Sequence, residues 1–268
     1  MNPIAGAGAG TVTFRLYSDN ACANQIFVSS NRPLNLTTPT SGTATSETFA
    51  PANTGQYFWR AFYSGDTNNL PVSGACGAAG ETSTVTPAQP TVNTQATNGT
   101  LGGTIGDTAT VSGLVNPVTT GAGAGTVTFR LYSDAACANQ VFVSADRPIN
   151  MTSATSGTAT SATFTPTSAG TYFWRAFYSG DANNAAVSHP CGAPNETSTV
   201  ARAQPAISTQ ASPTITLGEG TLTDLATVTG LVNPVTGAGA GTVTFRLYGP
   251  NDATCATCLL YTSDAADE

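Results

Sequence analysis

The sequence predicts an all-β chain of tandem two-sheet domains. Three observations carry this: apolar residues alternate with period two, turn residues interrupt them at short intervals, and a long segment repeats. GAGAGTVTFRLY occurs three times, placing Thr11, Thr126 and Thr242 at spacings of 115 and 116 residues. YFWRAFYSGD (from Tyr57 and Tyr172), ETSTV (from Glu81 and Glu196) and AQP (from Ala88 and Ala203) keep the same step. A solenoid unit spans roughly 20–50 residues, so a period this long belongs to a domain with its own core.

Proline-containing joints, Val-Thr-Pro-Ala-Gln-Pro (85–90) and Val-Ala-Arg-Ala-Gln-Pro (200–205), mark the boundaries. Proline removes a backbone donor and stiffens a connection, which predicts a semi-rigid string of domains. The first repeat, 1–87, lacks its opening strands; 88–202 is complete; and 203–257 stops after its third predicted strand. Met1 stands where the other copies have Val115 and Val232, as a GTG start would give, so the chain is expected to continue upstream. Residues 258–268 (CLLYTSDAADE) resemble the translation of a transposon-end sequencing adapter and are set aside from the fold as an artefactual tail.

In the complete repeat the predicted strands are 91–95, 108–113, 126–132, 141–145, 159–164, 172–178 and 196–201, with no helix. In 126–132, Val127, Phe129 and Leu131 share one face, with Thr128 and Arg130 on the other. In 172–178, Tyr172, Trp174, Ala176 and Tyr178 alternate with Phe173, Arg175 and Phe177. Arginine favours water, so the Trp174 face is the core face. The expected core is therefore Phe129, Tyr172 and Trp174, with Phe14, Tyr57 and Trp59 as their copies. Arg130 and Arg175 are expected to stack on Phe173 and Phe177. Seven short strands in one repeat suit an Ig-like sandwich of two antiparallel sheets.

Setting Cys258 aside, Cys22/Cys76 and Cys137/Cys191 share a separation of 54, and Cys255 heads a third pair without its partner. Fixed pairing within each repeat predicts the disulfides Cys22–Cys76 and Cys137–Cys191, stapling loops rather than sheets, and an oxidising extracellular setting.

Charge excludes several functions. The 8 basic residues are all Arg, against 15 acidic ones, for a formal net charge of −7. The absence of Lys removes Schiff bases, phosphate-loop lysines and Lys–Asn isopeptide bonds. No basic cluster exists to attract nucleic acid, and no apolar run is long enough to insert into a membrane. His189 is the one histidine and has no counterpart in the first repeat, so no catalytic residue is assigned and no enzyme is expected. The Gly6/Gly8/Gly10 run and its copies lead into a strand, where a phosphate site needs a helix N-terminus, so no cofactor is expected either. The oxygen-rich turn Ser-Gly-Asp-x-Asn-Asn recurs as Asp66, Asn68, Asn69 and as Asp181, Asn183, Asn184. It is a weak calcium candidate; a hairpin turn, in which Asp and Asn bond their own backbone, explains it better.

The run from GTVTFRLY through FTPTSAGTYFWRAFYSGDANN (164–184) resembles the tandem Ig-like repeats of bacterial surface and secreted proteins, over essentially the whole chain apart from the tail. The cysteine pair and the CGAPNE insertion depart from the plainest members. The resemblance implies an extracellular array in which each repeat has its neighbours in the same chain as partners. Three roles follow as expectations: a non-catalytic stalk or spacer; an adhesin module whose loops or Phe/Arg faces bind a glycan or surface protein; or accessory domains of an enzyme whose catalytic domain lies elsewhere.

Overall fold

The computed structural model describes residues 10–265, which contain strands and turns and no helix. In the central repeat two sheets face each other. The first runs in the order Asn150–Ser153, Ser156–Thr160, Asp107–Ser112, Thr91–Ala96; the second in the order Gln140–Pro148, Thr126–Tyr132, Gly170–Tyr178, Thr197–Ala201, Gly99–Thr100. All pairings are antiparallel except the last, where Gly99–Thr100 runs parallel to Thr197–Ala201. The short Val187–Ser188 strand adds to the free end of Gly170–Tyr178.

The alternation that predicts the strands also fills the space between the sheets. Val92, Ala96, Ala109 and Val111 from the first sheet meet Val127, Phe129, Leu131, Trp174, Ala176 and Val200 from the second in one cluster. Trp174 and Phe129 are fully buried and Tyr172 is 8% exposed. Phe142 meets the Trp174 ring edge-on at 6.1 Å and Phe164 at 5.3 Å, and Phe164 continues to Tyr172 at 6.0 Å. Gly125 is needed where it stands, because a Cβ there would lie 2.5 Å from the Tyr178 ring.

The first repeat builds the larger of these sheets on the same plan, beside a two-stranded pair of Asn35–Thr38 and Ser41–Thr43. Thr11–Tyr17 pairs with Gln25–Pro33 and Gly55–Tyr63 in registers identical to those of Thr126–Tyr132 with its two neighbours. Phe14, Tyr57 and Trp59 are therefore placed like their copies, but they are only half-buried, because among the described residues the second sheet of this repeat consists of the Asn35–Thr38/Ser41–Thr43 pair alone. In the third repeat Ala206–Ala211 pairs with Asp224–Thr229, and Thr242–Tyr248 pairs with Cys258–Ala265. The segment set aside on sequence thus occupies the edge that Gln140–Pro148 takes in the central repeat. An unpaired strand edge accepts any extended segment that reaches it, because pairing needs only backbone groups.

Two expectations shift. The predicted strand 159–164 is Ser156–Thr160, joined by a tight turn to Asn150–Ser153, which has no apolar alternation to announce it. The chain leaves the sheet at Ser161, whose N–H donates to Asp107 O at 2.9 Å, while Ala162 N–H donates to Ser144 Oγ at 2.9 Å. The arginines also stack differently from expectation. Arg130 and Arg175 both lie over Phe177, at 5.0 and 4.8 Å, as Arg15 and Arg60 both lie over Phe62. Arg175 Nε donates to His189 O, which draws the guanidinium toward the Phe177 end of the strand and away from Phe173.

Candidate functional site

Both predicted disulfides are formed, Cys22–Cys76 and Cys137–Cys191, with Cα separations of 5.9 and 6.1 Å. The loop presenting Cys137 is organised by Asp134, whose carboxylate accepts from the N–H groups of Ala136, Ala138 and Asn139. The N–H groups of Asn139 and Ala138 lead in holding that carboxyl below the usual carboxylate range. Asp19 and Asp252 build the same loop, and Cys22, Cys137 and Cys255 all take left-handed φ angles of 52–54°. The loop around Cys255 therefore has its form without a disulfide, since Cys255 is free.

The Ser-Gly-Asp-x-Asn-Asn turn uses its oxygens internally. Asp181 Oδ1 accepts from the N–H groups of Asn183 and Asn184, and Oδ2 accepts from Tyr178 Oη at 2.8 Å and Val118 N at 3.3 Å. Asn184 Nδ2 bridges both carboxylate oxygens at 3.0 Å. Burial first, then the bond to Asp181, pushes the Tyr178 hydroxyl well above its ordinary pKa, so it stays a donor. These bonds occupy the acceptor sites that calcium would need, and among the described residues no three His, Cys, Asp or Glu side chains converge to hold a metal.

The same turn also connects two repeats. Asn183 and Asn184 are 7% and 1% exposed, unusual burial for asparagine, and every polar group on them is used. Asn184 pairs with the backbone of Val115, accepting from its N–H at 2.8 Å and donating to its carbonyl at 3.1 Å. Asn183 Nδ2 donates to Asn116 O at 2.8 Å. The linker is fastened beside them: Ala88 N–H donates to Asn183 O, and Ala185 N–H donates to Ala88 O, both at 2.9 Å. From the first repeat, Thr54 Oγ1 donates to Ala182 O at 2.6 Å, Thr54 N–H donates to Asn183 Oδ1 at 3.2 Å, and Ala52 O accepts from Asn116 Nδ2 at 2.8 Å. The next joint repeats the last of these, with Asn233 Nδ2 donating to Thr167 O at 3.2 Å. There Gly102 faces Val232, which a Cβ on it would touch at ordinary van der Waals distance, 3.4 Å. The sequence predicts the turn but gives no sign of its partner loop at 52–54, which lies more than a hundred residues away.

A second cluster went unnoticed in the sequence. Glu196 is fully buried and Asp107 is 1% exposed. Thr94 Oγ1 donates to Glu196 Oε1, and His189 Nδ1 lies 2.5 Å from the same oxygen. Neither carboxyl oxygen of Asp107, nor Glu196 Oε2, has a partner in good hydrogen-bond geometry, although the backbone N–H groups of Thr108 and Gln95 lie close enough to Asp107 to oppose part of the effect of burial. Burial, then the Asp107 charge, pushes the Glu196 carboxyl up to about 9, and burial pushes Asp107 up to about 7. Burial, then Arg175, lowers the His189 pKa. At neutral pH the His189–Glu196 contact is therefore one between uncharged groups rather than an ion pair. The available signal was the recurrence of Glu81/Glu196 and Asp107/Asp224 at matched places in a chain that is only 9% charged.

Two surface clefts lie over incompletely covered core faces. One is lined by Ala211, Leu222, Phe245 and Leu247, and Phe245 copies the fully buried Phe129. Another, lined by Leu34, Leu36, Tyr63 and Leu70, lies in the first repeat beside the Asn35–Thr38/Ser41–Thr43 pair. No family model, curated protein or solved structure matches the chain.

Proposed function

We propose that the chain is an extracellular spacer built of tandem Ig-like repeats, of the kind found in bacterial surface and secreted proteins, with no catalytic role. The observation that carries this reading is the joint. Three hydrogen bonds between the Ala52–Thr54 loop and the Asn116 and Asn183 region, with a linker anchored at Ala88, make the domain connection a built contact. Each such bond contributes about 0.5–1.5 kcal/mol, so bending the joint costs a few kcal/mol. A spacer needs this stiffness; a freely jointed string does not have it.

Several features support the Ig-like assignment. The two sheets follow the orders of an Ig-type ABED sheet and a CFG sheet extended by one strand at each end. Tyr172 at the start of Gly170–Tyr178 donates its hydroxyl back to Ser168 O at 2.9 Å, as Tyr57 does to Asn53 O, which is the tyrosine-corner arrangement. Two disulfides support an oxidising, extracellular setting. One observation favours adhesion as a second reading: beside the Arg–Phe stacks, Val141 and Val143 stay 43% and 48% exposed, with Ile26 and Val28 repeating the patch.

Backbone relaxation measurements test the spacer. Repeats 1 and 2 are expected to report one common tumbling time; distinct, shorter times would overturn the reading. Saturable binding in a panel of glycans and matrix proteins would transfer the function to adhesion.

A further inference from the structure

The outer face of the larger sheet carries the same costly arrangement in the first two repeats. Arg130 and Arg175 stand directly opposite each other on adjacent strands, and Arg15 and Arg60 do the same in the first repeat. Like charges placed directly opposite on a sheet are destabilising. Both guanidiniums of a pair lie within 5.0 Å of one ring, Phe177 or Phe62, which puts them less than about 10 Å apart, within one Debye length at 0.1 M salt. Among the described residues none of the four forms a salt bridge. Buried Glu196 senses the Arg175 charge but is itself a neutral acid at neutral pH, so it does not offset the pair. Four of the chain's 8 basic residues are thus gathered, uncompensated, in two identical patches of a protein whose net charge is −7.

The pairs are held ready for an anion. Arg175 Nε donates to His189 O and Arg60 Nε to Gly74 O, which leaves their Nη groups for another acceptor. Arg130 and Arg15 are exposed and held by the ring alone. A stacked guanidinium has already lost side-chain freedom, so less is lost when a ligand binds. Its planar fork of donors matches the paired oxygens of a carboxylate or sulfate. Beside the arginines the surface is apolar and open: Val143, opposite Arg130, and Val28, opposite Arg15, are 48% and 43% exposed. We propose that each Arg pair, with its valine neighbour, binds an acidic polysaccharide, taking a carboxylate or sulfate group at the two guanidiniums while the apolar face of a sugar ring lies on the valine.

Recurrence favours a polymer as the ligand. A chain with an acidic group on its repeating unit meets both patches, and linked sites bind far more tightly than either alone. An extended acidic peptide is recognised best by pairing at a sheet edge, whereas Thr126–Tyr132 and Gly170–Tyr178 already have strands on both sides. Two charges per repeat are too few for the phosphate contacts on which nucleic-acid affinity depends. The site rests on the adhesion reading, and the rigid joint serves it by fixing the interval between the two pairs. Each can fail alone, since tumbling reads the joint and binding reads the arginines.

Calorimetric titration of the full chain, secreted through an oxidising compartment, with polygalacturonate, dextran sulfate, neutral dextran, poly-glutamate and duplex DNA decides it. Saturable binding of polygalacturonate or dextran sulfate is expected, weakening as salt rises, with none of neutral dextran. Binding of polygalacturonate alone marks a carboxylate site, and of dextran sulfate alone a sulfate site. Arg15→Gln combined with Arg130→Gln removes one guanidinium from each pair and leaves the hydrogen bonds of Arg60 and Arg175 in place. It should weaken binding about tenfold or more while both disulfides still form. Arg202→Gln, which removes an exposed charge in the linker, should leave binding unchanged. Equal losses in the two variants, tighter binding of poly-glutamate or DNA than of either acidic polysaccharide, or no saturable binding by the unaltered chain would overturn the proposal, the last even if the double variant does not fold.

Discussion

Replacing Trp174 by alanine is the sharpest perturbation of the central core. Its ring is fully buried, packs edge-on against Phe142 at 6.1 Å, and donates from Nε1 to Ser198 Oγ at 3.0 Å. Ser198 in turn donates to Thr97 O, so the indole ends a chain of bonds running from one sheet to the loop after the other. Removing a buried Trp side chain costs about 3–5 kcal/mol from lost transfer energy and the cavity left behind. At about 4 °C per kcal/mol for a domain of this size, the central transition should fall by roughly 12–20 °C. Trp59 is the internal comparison. It makes the same edge contact with Phe27 at 6.1 Å but is only half-buried, so Trp59→Ala should cost roughly 1–3 kcal/mol. Amide exchange at Val127 and Leu131 reads the central repeat separately from its neighbours, which a whole-chain melt does not. Equal losses for the two variants, or a near-neutral Trp174→Ala, would refute the face assignment.

The pH dependence follows from Asp107. Its folded pKa, about 7, lies above the ordinary 3.8, so its contribution is full below about pH 4 and is lost as pH rises through 7. The loss reaches up to about 4 kcal/mol, and Asp107→Asn should flatten it; stability rising from pH 5 to 8 would contradict the burial argument. Glu196, with its carboxyl pushed up to about 9, extends the fall toward that pH. Replacing Cys137 and Cys191 together by serine should cost about 4 kcal/mol by chain entropy, for the 54-residue separation they close. Chelating calcium should leave the melting temperature unchanged, because the oxygens of Asp181 are spent on Asn183, Asn184, Tyr178 and Val118; a large drop would show a metal in that turn.

The parts of the structure that local pattern controls were legible in the sequence. Alternation in Thr126–Tyr132 and Gly170–Tyr178 picks out the faces that are buried, because an Arg on one side and a Trp on the other leave a single choice. The equal spacing of the cysteines gives both disulfides. The Asn150–Ser153 strand was not legible, since an edge strand of polar residues carries no period, and of the predicted residues beyond Thr160 Phe164 returns as an isolated bridge to Ile105. Long-range meetings were equally hidden. Asn183 reads as a turn former until Thr54 is placed against it, and Glu196 reads as a surface charge until Thr94 and Asp107 close over it.

The joint between the first two repeats is the central claim, and a distance across it is its most direct measurement. Nitroxides carried on unnatural amino acids at the exposed, equivalent positions Gln25 and Gln140 leave the disulfides untouched. Pulsed electron resonance should then return one narrow distance distribution, which Asn183→Ala combined with Thr54→Val should broaden by removing the bonds that cross the joint. A broad distribution in the unaltered protein, unchanged by those substitutions, would contradict a rigid spacer.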